Sequence, residues 1–154
     1  MNIYTDSSSD LAKEFFSENS VTLFPLAVEL NGQFYEDIVG ISSLEIYDAI
    51  QKGAQPKTSQ VSPEQFLTAF EQLAERDEEG IYMALSSELS GTYNTAVMIK
   101  SQLMERYPNL KLTIIDTKCV SVGLGLLVKE AVRLRDEGKT VEEIETIIVK
   151  KALH

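Results

Sequence analysis

Four short polar segments hold the residues whose types and spacing could do chemistry. They are Thr5-Asp6-Ser7-Ser8-Ser9-Asp10, Lys57-Thr58-Ser59-Gln60, Ser86-Ser87-Glu88-Leu89-Ser90-Gly91-Thr92 and Asp116-Thr117-Lys118. Three follow predicted strands, and the second precedes a well-signalled helix start. All place small hydroxyls near helix starts, where backbone N–H groups and the positive end of the helix dipole face outward. Recognition of a carboxylate or phosphate asks for this: short donors, little bulk and local positive potential. Gly91 would let a backbone N–H approach a ligand closely, having no Cβ. The same residue types also make ordinary N-caps and turns. A second use for Asp6 or Asp116 is Mg²⁺-dependent phosphotransfer or phosphatase chemistry, but neither belongs to a closely spaced acidic pair.

Other chemistries lack their parts. A Ser-His-Asp hydrolase needs a base, and the only histidine is His154. Cys119, the single cysteine, has no partner base and can form no internal disulfide. One His and one Cys do not supply a zinc site. No GxxxxGK[ST] occurs. Gly123-Leu124-Gly125 is half a dinucleotide fingerprint, with Val128 in place of the third glycine; it reads as close helix packing. Neither a cofactor, a metal nor a catalytic residue is therefore expected. The formal net charge of −10 opposes nucleic acid and anionic membranes at long range. No apolar run approaches the roughly 20 residues of a membrane span. The start, Met1-Asn2-Ile3-Tyr4-Thr5-Asp6, lacks the pattern of a signal peptide. With one cysteine, these features lead us to expect a cytoplasmic protein.

The elements that must position the polar segments can be read from periodicity. Ile3–Thr5 is a short strand, and Leu11, Phe15 and Phe16 mark a helix face. Leu23–Leu30 alternates after Pro25, with Leu26, Val28 and Leu30 on one face; Asn31-Gly32 signals a hairpin whose return is Gln33-Phe34-Tyr35. Ser42-x-x-Glu45 is a capping box for a helix through Ile50, stopped by Gly53. Ser62-Pro63 opens a helix with Phe66, Phe70 and Leu73 at helical spacing. Strands Ile81–Leu85 and Leu112–Ile115 each precede a helix, the first running to about Arg106 and the second spanning about Gly123–Glu137. Thr140-x-x-Glu143 caps a final helix. Strands alternating with helices predict an α/β fold: a layered α/β/α domain with a mostly parallel sheet. Right-handed crossovers would gather the polar segments at one sheet edge, where open α/β folds bind ligands.

As a set, the segments resemble the motifs of the DegV family. Thr5-Asp6-Ser7-Ser8-Ser9-Asp10-Leu11 is similar to its "TDS-x-x-DL". Pro56-Lys57-Thr58-Ser59-Gln60 with Ser62-Pro63 is similar to "KTSQ-P-S", although Val61 stands where a proline often follows the Gln. Leu85 to Tyr93 is similar to "SS-LSGTY". Ile115-Asp116-Thr117 with Ser121, Gly123 and Gly125 is similar to "DT/DS…S-G-G". The resemblance implies two α/β domains with a lipid-shaped cavity between them and a long-chain fatty acid as ligand. It implies a non-enzymatic role as the binding subunit of a bacterial fatty acid kinase, presenting the carboxylate to a separate ATP-dependent subunit. Thr58 or Ser59 and Ser90 would contact the carboxylate, with Gly91 and Thr92 helping. Asp6, Ser7, Ser8 and Asp116 would be pocket-edge or organising residues.

Family members usually run to about twice this length, so residues 1–154 are expected to be the amino-terminal domain, ending before the second. A buried CH₂ is worth roughly 0.8 kcal/mol, so a fully enclosed fourteen-methylene tail gives on the order of 11 kcal/mol. One wall alone would recover about half, which implies weaker lipid binding than a full-length relative, or a homodimer that covers the exposed apolar surface; a folded fragment that binds no ligand is the further alternative.

Overall fold

The computed structural model describes residues 1–30, 32–36, 48, 50–53, 57–58 and 60–152. β1 (Asn2–Asp6) passes through a single 3-10 turn (Ser7–Ser9) to α1 (Lys13–Glu18) and β2 (Val21–Phe24). β3 (Ala27–Leu30), β4 (Gln33–Glu36) and β5 (Lys57–Thr58) follow. Next come α2 (Pro63–Glu75), β6 (Glu79–Ala84), α3 (Thr92–Arg106), β7 (Lys111–Asp116), α4 (Val122–Asp136) and α5 (Val141–Ala152). The four-stranded sheet has the order β2-β1-β6-β7, all parallel. A small antiparallel sheet has the order β4-β3-β5.

The central strands are apolar on both faces, as a parallel sheet covered on both sides requires. Ile3, Ile81 and Met83 point into a core with Leu124, Val128, Ile144 and Ile148 from α4 and α5. Their neighbours Tyr4, Tyr82 and Ala84 point the other way, into a core with Phe66, Phe70, Ala96, Ile99 and Leu103 from α2 and α3. The period of two thus sorts one strand between two helix layers, giving α/β/α. Rings of Tyr4, Phe24, Phe66, Phe70 and Tyr82 pack edge-on and stacked, with Phe24 and Phe66 centroids 4.8 Å apart.

The strand order reverses between β1 and β6. From β1 the chain steps outward to β2 by way of α1, which packs into the first core through Phe16. From β6 it steps the opposite way to β7 by way of α3, in the second core. The carboxyl ends of β1 and β6 therefore flank a topological switch point, where such sheets open a crevice.

Local signals explain the boundaries. The Ser62 hydroxyl accepts from the Gln65 N–H at 3.4 Å and Pro63 occupies the first turn, so α2 starts where expected. Thr140 and Glu143 bond reciprocally, each backbone N–H to the other's side chain at 3.1 Å. Gly138 ends the α4 segment with φ +87°. The first helix is shorter than Leu11 suggested, beginning at Lys13. The segment read as Leu23–Leu30 divides at Pro25: Val21–Phe24 is a separate strand of the main sheet, and β3 begins only at Ala27. Pro25 has no N–H to continue a ladder. Leu26 stands between the two sheets, outside β3, with its N–H donating to the Ser7 hydroxyl at 3.0 Å. The Ser42-x-x-Glu45 box lies outside the described residues, as does Asn31 of the hairpin turn.

Candidate functional site

Asp6 closes β1 and is fully buried. One carboxylate oxygen accepts from the N–H and the hydroxyl of Ser8. The other accepts from the Tyr82 hydroxyl at 2.9 Å and the Leu85 N–H at 3.2 Å. Burial pushes its carboxyl above the usual range, and these four hydrogen bonds offset only part of that. Burial, the Asp6 charge and the shared hydrogen bond push the Tyr82 phenol well above its own range. A divalent cation at Asp6 would have to displace donors already seated on both of its oxygens. Among the described residues no three His, Cys, Asp or Glu gather as a metal site.

Asp116 closes β7 and does for Ser87 what Asp6 does for Leu85. It accepts from the Ser87 N–H at 3.1 Å, from the Ser87 hydroxyl, and from the Lys118 N–H at 3.2 Å. The Lys118 ammonium lies 3.1 Å away. Burial works to raise this carboxyl, but the hydrogen bonds from Ser87 and Lys118 outweigh it and hold Asp116 below the usual range. Thr117 donates its hydroxyl to the Ala84 carbonyl at 2.8 Å, and the Ser86 N–H donates to the Cys119 carbonyl at 3.0 Å. The loops after β1, β6 and β7 are thereby tied together.

The loop after β6 divides in two. Its N–H groups from Leu85 to Leu89 are all taken: by Asp6, the Cys119 carbonyl, Asp116, the Ser86 hydroxyl (to Glu88) and the Ser86 carbonyl (to Leu89). Among the described residues, the N–H groups of Ser90 and Gly91 meet no acceptor. Beside them the Ser90 and Thr92 hydroxyls sit 2.9 Å apart, and the Thr92 N–H donates to the Ser90 hydroxyl. Helix α3 begins here with Gly91 as N-cap and no side-chain cap hydrogen bond. Two adjacent N–H groups, two hydroxyls and the positive end of a fifteen-residue helix make an anion-accepting geometry.

Gln60 joins the second polar segment to this loop. Its amide packs over Gly91, where an added Cβ would meet the Gln60 nitrogen at 2.5 Å, and its oxygen accepts from the Thr95 hydroxyl at 3.3 Å. Thr58 lies in β5, paired with Val28 of β3; Ser59 is outside the described residues. Neither the part played by Gln60 nor that of Tyr82, whose tie to Asp6 crosses 76 positions, has a local signal in the sequence. A surface groove of about 480 Å³ runs beside β2 and α2, lined by Leu23, Phe24, Gln65, Thr68, Ala69 and Gln72; none of the candidate residues lines it.

The start of α4 leans on the same edge. The Ser121 N–H donates to the Ser8 carbonyl at 2.7 Å, and Gly125 lies so close that a Cβ there would stand 2.5 Å from the Ser9 carbonyl oxygen. Asp10, Lys118 and Ser121 all have φ near +58°, a conformation side chains rarely adopt. Three such residues at one edge mark it as over-determined by its surroundings.

This is the architecture of a doubly wound α/β domain. The model of the DegV family, described as uncharacterised proteins, matches residues 1–152. A DegV domain-containing protein of Staphylococcus aureus strain COL is 40% identical over 152 residues, 99% of this chain and 51% of that protein. A 15.5 kDa DegV domain-containing protein of Staphylococcus aureus is 42% identical over 132 residues, 86% of this chain and 91% of its own length. Among solved structures, a stearic-acid-binding protein from Eubacterium ventriosum superposes with a TM-score of 0.89 at 32% identity, over 96% of this chain and 52% of that one. A fatty-acid-binding DegV family protein from Thermus thermophilus gives 0.85 at 30% identity, over 98% and 52%. The chain belongs to the DegV family. It spans about half the length of most of these relatives, the 15.5 kDa protein excepted.

Proposed function

We propose that this chain binds a long-chain fatty acid by its carboxylate and presents it to a separate ATP-dependent kinase subunit. The observation that carries the reading is the loop after β6, which satisfies its N–H groups as far as Leu89 and leaves those of Ser90 and Gly91 without a protein acceptor among the described residues. The Ser90 and Thr92 hydroxyls stand beside them. A carboxylate placed there accepts from backbone and hydroxyl donors at the α3 terminus, and charge-assisted bonds of this kind are roughly twice as strong as neutral ones. Thr58 or Ser59 completes the site from the segment that Gln60 ties to Gly91. Asp6, Ser7, Ser8 and Asp116 organise the edge. Fatty-acid binding by the Eubacterium ventriosum and Thermus thermophilus proteins supports the choice of anion. The chain itself performs no chemistry in this reading, and the kinase supplies the phosphoryl group. A homodimer would cover the acyl chain where a longer relative uses its other half.

Native mass spectrometry of the purified protein, followed by denaturation and lipid identification, tests this. A co-purifying or added C16–C18 fatty acid is expected in the wild type and lost in a Thr58→Ala, Ser90→Ala double variant. Equal occupancy in the variant would remove these hydroxyls from the site. No binding of palmitate or oleate by the wild type would refute the reading for this chain.

A further inference from the structure

A site for an anion bordered by two aspartates needs explaining, since like charge repels a carboxylate. The geometry resolves it. Asp6 and Asp116 come from β1 and β7, the two strands that flank β6. Each gives acceptors to β6 or the base of its loop: one Asp6 oxygen takes Tyr82 and Leu85 while the other holds Ser8, and Asp116 takes the N–H and hydroxyl of Ser87 along with the Lys118 N–H. Asp6 is wholly enclosed, so it cannot meet a ligand. Between them the Ser86 N–H is held by the Cys119 carbonyl. Three consecutive amides of the loop are thus turned into the scaffold, and the stretch after them must begin at a fixed place and direction.

We infer that Asp6 and Asp116 are paired positioning residues that clamp Leu85–Ser87 from both sides and so aim the Ser90–Thr92 donors at the ligand without touching it. The inference rests on the carboxylate site proposed above. A clamp of this kind should act on the head group alone. The acyl chain would be held by apolar burial, to which a carboxylate contributes nothing.

The test compares palmitic acid with 1-hexadecanol, which carries the same chain and no carboxylate. Affinities are measured by fluorescent-probe displacement for the wild type, Asp6→Asn and Asp116→Asn. An Asn presents one acceptor oxygen and turns an NH₂ toward donors, so part of each clamp is lost. The expected result is about a tenfold loss for the acid, roughly one anchoring interaction, with the alcohol nearly unchanged, so that the preference for acid collapses. A preserved acid-to-alcohol ratio in both variants would overturn the inference. Should either variant fail to fold, Tyr82→Phe and Ser87→Ala remove one donor from each clamp at lower cost. In those two proteins the amide resonances of Ser90, Gly91 and Thr92 are followed by NMR: displaced resonances are expected, and unmoved ones refute the clamp. This second arm needs no ligand. If the wild type binds neither lipid, the functional reading fails while the clamp is still decided.

Discussion

At Gly125 and Gly91 a single methyl group separates two kinds of close contact. The Gly125 Cβ would strike a backbone carbonyl, that of Ser9, whereas the Gly91 Cβ would strike the end of the flexible Gln60 side chain. Backbone cannot step aside without moving the turn after β1. Gly125→Ala is therefore expected to cost about 1–3 kcal/mol, the usual range for overpacking. Gly91→Ala should cost less than about 1 kcal/mol while displacing Gln60. Urea unfolding of the two variants gives the ranking, and an equal cost would contradict it. Charge makes a second residue-level prediction. A carboxyl held below its unfolded value contributes stability above the ordinary carboxylate range and loses it as pH falls through the folded value. Asp116 has this sign, held down mainly by Ser87 against its burial. Glu130 does too, brought to about 2 by Arg133 and Lys151. Asp6 has the opposite sign, so its ionisation costs stability. The urea midpoint of Asp116→Asn should fall below that of the wild type at neutral pH and converge with it on acidification. A constant gap would show that Asp116 acts without its charge.

Caps decide where the elements begin. Loss of the Thr140 hydroxyl by substitution with alanine breaks one half of the reciprocal pair with Glu143 and should destabilise by about 1 kcal/mol. Chemical denaturation measures it, and Glu143→Ala should cost a comparable amount if the box works as a unit. Such elements were legible because their signals are local. Ser62-Pro63, Thr140-x-x-Glu143 and the spacing of Phe66, Phe70 and Leu73 each fit within one or two helical turns. β2 did not separate from the Leu23–Leu30 segment because Val21–Phe24 is four residues long and runs directly into Pro25, so its membership of the main sheet is decided by Ile3 and its neighbours and not by its own pattern. The polar edge was legible for the same reason as the caps. Its internal wiring was not: Asp6 meets Tyr82, and Asp116 meets Ser87, only through strand pairing. Ser90 and Thr92 could be picked out as hydroxyls, but that the amides of Ser90 and Gly91 meet no acceptor among the described residues depends on where every neighbouring N–H goes.

For the whole molecule, occupancy of the edge should appear as added stability. A ligand that binds only the folded state at a hundred times its Kd contributes about 2.7 kcal/mol. Fatty acid should therefore raise the urea midpoint of the wild type and leave that of the Thr58→Ala, Ser90→Ala variant unmoved; equal shifts in both would point to binding elsewhere. The reversal of strand order between β1 and β6 also governs how the chain assembles. β6 pairs with β7 across 32 positions, as in Ile81 with Thr113, but β1 pairs with β6 across 78, as in Ile3 with Ile81. Closing the longer loop costs more entropy, though less than about 1 kcal/mol by the logarithmic law. During synthesis from the amino end, β1 must wait until β6 has emerged before its second edge is covered. The pairing of β1 with β6 is thus the more costly of the two to close, and the loop after β6 is held from both sides only once β7 has also emerged and joined them.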